Sequence, residues 1–504
     1  MTAPSVDPVT LQVMLGALRF ACEEMGVVLV RSAHSANIKE RRDASTALFD
    51  SSGEMVMQAE HIPVHLGAMP AAVAAVRDEP HTPGDAWILN DPYRGGTHLP
   101  DITVITPVFT GGEQLGFAAN RAHHADVGGS MPGSMPADSR TLADEGVVIP
   151  PTRLVRGGEL DSALLAELID PMRGRRQRAA DLRAQLAANA AGARRFEELA
   201  ERYGLEALRA GMDETLDYAE RRTRAALAEL GDGRRTAKDT LEAAAGDLEL
   251  VVEAMLAGGE LTLDFSGSAA QHEGNLNCPE AVTRSACYFA VRVLADPDVP
   301  PCAGAYRPVR VIAPEGSLLN ARAPAAVVGG NVETSSRVAD LVLGAFGRAA
   351  GQGTMNNLTL GNERFTYYET LGGGQGACAD APGPSAVHVA MSNTLNTPIE
   401  ALELEFPLRA LEYSLRRGSG GAGEQPGGDG IIRELEARAE MDFSLITERR
   451  RHAPPGAQGG EPGARGRNLL NGSDLEPKAT GRLRAGDRLR LETPGGGGHG
   501  RPAR

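Results

Sequence analysis

Cysteine is scarce and scattered in this chain of 504 residues. An odd number of cysteines without CxxC spacing excludes a disulfide-framed small domain and a thiolate zinc site. The same usage indicates a reducing compartment. The cysteines are Cys22, Cys278, Cys287, Cys302 and Cys378.

Long apolar runs and basic segments are missing as well. No stretch approaches the ~18 apolar residues that a membrane-spanning helix needs. Residues 1–4 lack the basic and apolar regions of a signal peptide, so none is expected. The net charge of −15 argues against a nucleic-acid or anionic-membrane surface. Together these absences predict a cytoplasmic protein with neither nucleic acid nor membrane as a partner.

Common catalytic motifs are absent too. The chain has no GxxxxGK[ST] loop, no GxGxxG between a strand and a helix, no GxSxG elbow and no HExxH helix. Its 61 glycines include clusters at 372–376 and 495–498. Tight turns and close backbone packing explain these clusters better than a nucleotide site does. The four consecutive glycines at 495–498 need an ordered role, or they would form a disordered end.

The pattern of apolar residues predicts a mixed α+β (α/β) fold. Helical spacing covers residues 8–30, and further helices are expected at 181–188 and 205–230. Alternating strands on either side of a Gly-Gly turn predict antiparallel hairpins at 102–120 and 248–265.

Changes in composition divide the chain into four segments. We expect a metal-binding α/β region at 1–155 and a helical region at 156–245. A glycine-rich α/β region at 246–430 and a β-rich region at 431–504 follow.

One window, residues 90–129, concentrates the candidate ligands. Histidine occurs 11 times in the chain, and three of those fall here beside three aspartates. Imidazole nitrogen and carboxylate oxygen are the ligands of Zn, Mn or Fe in an open catalytic site. The six residues are Asp91, His98, Asp101, His123, His124 and Asp126.

The predicted hairpin selects three of these six. Asp101 begins its first strand and His123 follows its second, so the two positions should meet. His98 can reach the same point across the Leu-Pro turn. A fourth ligand, or an open position, would come from elsewhere. A polar hydrogen-bond network at the hairpin end is the alternative to a metal site.

Two other polar segments are less specific. His61 and His65 are four residues apart, but Pro63 between them disfavours a helix, so both histidines are interpreted as hydrogen-bonded structural residues. Lys39 and Arg42 fit a solvated loop. Asp43 differs, because it stands at the mouth of a short strand, where a carboxylate can be aimed inward.

Several blocks together resemble the hydantoinase B/oxoprolinase family. Those that come first are residues 37–43, 61–67 and 90–101, the last reading Asn-Asp-Pro-Tyr-Arg-Gly-Gly-Thr-His-Leu-Pro-Asp. Blocks 329–335, 393–400, 419–423 and 493–498 agree with it further along the chain. The resemblance spans essentially the whole chain in order.

The resemblance implies a protein that works with a partner chain. It suggests a divalent metal (Zn, Mn or Fe) in this chain, and ATP-Mg in a hydantoinase A-type subunit, within a hetero-oligomer with two copies of each. It implies that a cyclic amide such as a hydantoin or 5-oxoproline is phosphorylated on the partner and opened here. The implied ligands are Asp43, His98, Asp101 and His123. Asp91, His124 and Asp126 would orient those ligands or relay protons.

Two alternative functions stay open. The chain could belong to a ketone carboxylase related to acetone and acetophenone carboxylases, or it could be a scaffold whose His/Asp cluster is structural. Some positions depart from the family pattern, which leaves substrate identity and subunit contacts open. They are Ala390, Gln425-Pro426, His499-Gly500-Arg501 and the segment 170–173.

Overall fold

The computed structural model describes residues 6–60 and 62–502. Residues 1–5 and His61 lie outside the described residues. Residues 1–5 belong to the start of the chain, where no signal peptide is expected. None of the helices in the described part is long and apolar enough to cross a bilayer.

The predicted helices form, and their ends follow ordinary capping chemistry. The carboxylate of Asp7 accepts hydrogen bonds from the amides of Val9 and Thr10, and Pro8 takes the first helical position. The apolar face of this helix packs against the long helix that ends at Tyr203. The α-helices are α1 Pro8–Ser32, α2 Ala36–Lys39, α3 Met69–Ala74, α4 Leu142–Glu145, α5 Ser162–Ile169, α6 Arg175–Tyr203, α7 Leu205–Glu229, α8 Glu280–Leu294, α9 Ser335–Ala345 and α10 Ile399–Glu405.

The largest sheet has seven strands in the order β2-β1-β5-β4-β3-β6-β7, and all of its neighbours are antiparallel. Its central hairpin, β4 with β5, is the one that the sequence predicts at 102–120. The strands are β1 Ala44–Asp50, β2 Met55–Glu60, β3 Ala86–Leu89, β4 Asp101–Thr110, β5 Glu113–His123, β6 Thr152–Arg156 and β7 Glu159–Leu160.

Three smaller sheets follow along the chain. The second, β11-β10-β9-β8, contains the predicted hairpin at 248–265 and one parallel pair, β10 with β11. The others are β13-β12-β16-β19 and β14-β15-β20-β17-β18. Their strands are β8 Gly233–Ala243, β9 Gly246–Ala257, β10 Glu260–Asp264, β11 Val309–Ile312, β12 Asn357–Asn362, β13 Phe365–Glu369, β14 Leu408–Arg416, β15 Gly430–Ala437, β16 Met441–Ile446, β17 Arg467–Leu470, β18 Ser473–Asp474, β19 Lys478–Leu483 and β20 Arg488–Glu492.

This architecture confirms the mixed α+β class. The division into four segments stays a prediction. The third and fourth sheets both take strands from either side of residue 431, so their hydrogen bonds cross the last predicted boundary.

Four glycine-rich segments pack backbone against backbone in the C-terminal half. We call residues 373–383, 419–430, 454–464 and 494–500 the glycine bundle. The amide of Gly428 donates to the carbonyl of Gln375, Gly496 donates to Gly428, and Gly421 donates to Gly496, each at 2.9 Å. A Cβ on Gly496 would lie 2.0 Å from the carbonyl oxygen of Gln375. The glycines at 495–498 therefore have an ordered role, because side chains would keep these segments apart.

The atypical positions fall in three places, of which residues 170–173 form the link between α5 and α6. Gln425 and His499 pair through their backbones at one side of the glycine bundle. Ala390 lies instead beside His388, in a cleft of about 380 Å³. Nothing in the structure explains why these residues differ from the family pattern.

Candidate metal centre

The β4–β5 hairpin brings the predicted ligands together. Asp101 is the first residue of β4 and His123 the last of β5, and the two are direct cross-strand partners. His98 lies in the turn just before β4, where the carbonyl of His98 accepts a hydrogen bond from the amide of Asp101. We call His98, Asp101 and His123 the metal triad; all three are at most 2% exposed.

The ligand atoms of the triad form a tight triangle. His98 Nε2 lies 3.1 Å from Asp101 Oδ1, His123 Nδ1 lies 3.2 Å from the same oxygen, and the two nitrogens are 3.3 Å apart. Ligands that each lie about 2.1 Å from one Zn-sized ion are separated by roughly 3 to 3.4 Å. The residues therefore fit a divalent metal, and among the described residues they are the group that could hold one.

Asp101 is held as a carboxylate. Thr97 donates its hydroxyl proton to Oδ2 at 2.6 Å, and Nε2 of His65 lies 3.4 Å from the same oxygen. Burial alone would raise the pKa of Asp101, but the charge of His98 and the contacts with His123 and His65 hold that pKa well below its usual range. The anionic form is the one that binds a metal.

His65 is hydrogen-bonded, in keeping with its predicted structural role. Its Nδ1 lies 2.9 Å from the hydroxyl of Ser45, while its Nε2 approaches Asp101. The pKa of His123 is lowered because the ring is buried, although the carboxylates of Asp101 and Asp43 oppose that effect. A neutral imidazole is the ligand form.

Asp43 stands on the other side of His123. Its carbonyl accepts a hydrogen bond of 3.0 Å from the amide of His123, so β5 lies between Asp43 and Asp101. The Asp43 side chain is 3% exposed, and one of its oxygens lies 4.0 Å from the guanidinium of Arg41. It is not in the group whose ligand atoms meet. Its assignment as a fourth ligand stays a prediction.

An aromatic ring covers His123. The ring of Tyr368 stacks on the imidazole with centroids 4.6 Å apart and planes at 11°. Arg41 sits over the Tyr368 ring at 4.6 Å, and its guanidinium bonds the Tyr368 carbonyl at 3.0 Å. The Tyr368 hydroxyl donates to Asn357, whose amide donates to Glu333. This network fixes the plane of the imidazole.

The other three candidates lie apart from the triad. His124 is buried, and its Nε2 lies 2.9 Å from the Gln185 side-chain oxygen. Burial lowers the pKa of His124 to about 4, which keeps the imidazole neutral.

The carboxylates of Asp126 and Asp91 bind backbone amides. Asp126 accepts from the amides of Gly128, Gly133 and Arg173 at 2.8 to 2.9 Å. Asp91 accepts from the amide of Tyr93 at 2.9 Å and caps the short helical turn Pro92–Arg94. Both carboxylates thus hold loops that flank the hairpin.

Sequence reasoning missed Arg41, Arg121 and Tyr368. Arg121 is fully buried, bonds Thr103 and Gly95, and carries a positive charge that acts on Asp101. Arg121 is two residues before His123 on β5, so strand alternation places both side chains on the same face. That spacing could have identified it. No pattern links Arg41 to Tyr368, because they are 327 residues apart.

The comparisons with known proteins agree on one family. The sequence profile named Hydantoinase B/oxoprolinase matches residues 7–502. The chain is 40% identical to 5-oxoprolinase 1 of Arabidopsis thaliana over 98% of this chain, and it covers 42% of that protein. The chain therefore belongs to the hydantoinase B/oxoprolinase family. It spans about two-fifths of the length of this relative.

Other relatives match from end to end. The B component of a putative D-/L-hydantoinase from Pseudomonas sp. is 31% identical, with 99% of this chain and 90% of that protein covered. The crystal structure of the ATP-dependent caprolactamase from Pseudomonas jessenii superposes with a TM-score of 0.90 at 30% identity, covering 99% of this chain and 92% of that chain.

Proposed function

We propose that this chain is the metal-holding subunit of an ATP-dependent cyclic amidohydrolase, which opens a hydantoin or lactam ring after a partner has activated it. The observation that carries the proposal is the triangle of His98, Asp101 and His123, buried and separated by 3.1 to 3.3 Å. Two imidazoles and a carboxylate with a lowered pKa form a donor set for a divalent cation that leaves a position for a further ligand.

The metal supplies Lewis-acid chemistry when bound, polarising an oxygen and making water a better nucleophile at neutral pH. The chain's own residues prepare that site. Tyr368 and Arg41 fix the plane of the His123 ring. Thr97 and His65 orient the Asp101 carboxylate. Asp43 is proposed as the further ligand, since it flanks His123 across from Asp101.

His124 is the proposed proton carrier of the three outer candidates. Its ring is neutral, and its Nδ1 has no hydrogen-bond partner among the described residues. A neutral imidazole with a free nitrogen can accept a proton and pass it on. Asp91 and Asp126 are assigned instead to holding loops, because their oxygens already accept backbone amides.

Activation is proposed to take place on a partner chain. An amide carbonyl resists attack by water because of its resonance, and phosphorylation of the oxygen makes the ring carbon electrophilic. The sequence contains no phosphate-binding loop for ATP. A family relative of nearly the same length is named as one component of a hydantoinase, and the longer 5-oxoprolinase leaves room for a second part. Both facts favour an A-type partner with the ATP site.

The test is co-expression with an A-type ATP-binding subunit and assay of the purified complex. We expect ring opening of hydantoin, 5-oxoproline or a lactam that depends on ATP and on this chain. ATP hydrolysis and ring opening are measured together, with the separate subunits as controls.

Three results would contradict the proposal. Ring opening by this chain alone without ATP would exclude a two-subunit mechanism. Consumption of a ketone that requires bicarbonate would make the complex a carboxylase. Full activity of a complex that carries His123→Ala would reduce the triad to a structural cluster.

A further inference from the structure

A cleft of about 710 Å³ does not include the metal triad, but its wall contains neighbours of the triad in the chain. Three wall residues make this connection. Ala125, in its wall, follows His123 by two residues. Thr366 precedes Tyr368 by two residues on β13, so both side chains face the same way, about 7 Å apart along the strand. Asn37, also in the wall, accepts the amide proton of Asp43 with its carbonyl.

One wall of this cleft is the beginning of α6. Gly174 caps the helix without a side chain, and residues 174–177 line the cleft. The amides of Arg175 and Arg176 have no hydrogen-bond partner in the described part of the chain. Free amides and the helix dipole at the start of a 29-residue helix favour an anion.

A buried side chain provides a second, independent observation. The side-chain nitrogen of Asn37 has no hydrogen-bond partner within the described residues, although Asn37 lines the cleft. Asn37 is only 3% exposed. A buried donor without a partner is costly, so this group needs a ligand that accepts a hydrogen bond.

Arginines dominate the charge of the lining. Arg173 is engaged by Asp126 at 3.2 Å, and Arg175 by Asp170 at 2.9 Å. Among the described residues, neither Arg176 nor Arg364 forms an ion pair. Arg364 lies in the β12–β13 turn. The carboxylates in the lining are Asp170, Glu363 and Glu405. Two guanidinium groups are thus available, in a chain whose net charge is −15.

We propose that this cleft is an oxyanion site that binds the phosphoryl group of the activated substrate beside the metal triad. This inference rests on the proposed function for the source of the phosphoryl group. The donors come from the start of α6, from Arg176 and Arg364, and from Asn37. Phosphate presents several acceptor oxygens, and planar guanidinium groups bind such oxygens in pairs.

The first experiment titrates inorganic phosphate into the purified chain by calorimetry. We expect saturable binding that weakens by at least about tenfold in the double variant Arg176→Gln/Arg364→Gln, since two charge-assisted contacts are lost. The matched control is Arg183→Gln, an exposed arginine on the same helix outside the cleft. Absence of saturable binding, equal loss in the control, or unchanged binding in the double variant would overturn the oxyanion site.

The second experiment separates this site from the proposed function. Phosphate binding is repeated on His123→Ala, where the oxyanion site predicts no change. In the complex with the A-type partner, the double variant should spend more ATP per ring opened, because the activated intermediate is retained less well. An unchanged ratio of ATP spent to rings opened would overturn the assignment of this site to the activated intermediate. If the complex opens no ring at all while phosphate binding follows the arginines, the proposed function fails and the oxyanion site stands.

Discussion

The metal triad and the glycine bundle differ in what the buried backbone brings together. In the triad, one hairpin of adjacent strands aligns three functional side chains, and its members lie between residues 98 and 123. In the bundle, four segments spread over residues 373–500 meet because side chains are missing.

The triad serves binding and reaction, whereas the bundle holds distant segments of the fold together. The triad positions atoms that would react or bind, and its removal should leave the hydrophobic cores intact. The bundle contributes backbone hydrogen bonds between distant segments, so its disruption should unfold the C-terminal half. Variants in the triad should therefore change activity most, and variants in the bundle should change stability first.

The largest effect is expected at Asp101. Asp101→Asn removes the anionic ligand that both triad histidines face, so activity of the complex should fall by at least about 1000-fold. The chain should stay folded, although the lost contacts of the buried carboxylate should lower its unfolding temperature. Asp91→Asn is the matched control, because an asparagine oxygen can still cap the turn at Tyr93. An equal loss of activity in both variants would give Asp91 the catalytic role that the sequence suggests.

Gly496→Ala should instead lower the stability of the fold first. The new Cβ would meet the Gln375 carbonyl group at 2.0 to 2.2 Å, where only backbone can move aside. We expect a loss of roughly 4 kcal/mol or more in unfolding free energy, measured by denaturant titration. Gly16→Ala is the control: it lies in α1 with nothing within 4 Å of the new methyl group, and it should stabilise by about 0.5 to 1 kcal/mol. Normal stability of Gly496→Ala would contradict the close packing of the bundle.

Glu333, which is linked to Tyr368 through Asn357, should make the stability of the fold depend on pH. Burial first, and then repulsion from Glu448, raise the pKa of Glu333 from 4.5 to about 7. The folded pKa lies above the unfolded one, so the stability from this group is present below pH 4.5 and is lost as pH rises through 7.

The corresponding variant is Glu333→Gln. The wild type should lose unfolding free energy on the order of 2 to 3 kcal/mol between pH 5 and pH 8 because of this group, and the variant should not. The melting temperature of the variant should therefore depend less on pH. Glu400→Gln, at an exposed position of α10, should leave the profile unchanged. An unaltered slope in Glu333→Gln would mean that this carboxyl is ionised in the folded chain.

Tyr368→Phe should have the smallest effect. The ring stays stacked on His123, and only the 2.7 Å hydrogen bond to Asn357 is lost. We expect about 1 to 2 kcal/mol less stability and near-normal activity. Tyr368→Ala, which removes the stack as well, should lower activity far more. Equal activity in the two variants would show that the stack does not orient the imidazole.

The contrast also explains what could be predicted from the sequence. The hairpin that joins Asp101 to His123 follows from strand alternation and a Gly-Gly turn, which are local signals. The first helix and the class of fold follow from local periodicity in the same way. Local signals do not extend to Arg41, which contacts Tyr368, 327 residues further along the chain.

Arg41 shows the limit most clearly. It stands beside Arg42 in a charged run, yet Arg41 is fully buried while Arg42 is exposed, as a solvated loop residue should be. Arg42 has a φ of 55°, in the left-handed region, and this turn separates the two side chains. No composition or spacing in residues 37–43 distinguishes them, because the partner of Arg41 is supplied by the tertiary fold.

The central claim is that His98, Asp101 and His123 hold a divalent metal. Its most direct test is elemental analysis of the purified chain after dialysis, comparing the wild type with His123→Ala and with the Gly16→Ala control. We predict about one Zn, Mn or Fe per chain in the wild type and the control, and a loss of that metal in His123→Ala with an unchanged circular dichroism spectrum. A wild-type chain without stoichiometric metal, or a His123→Ala chain that keeps it, would contradict the account.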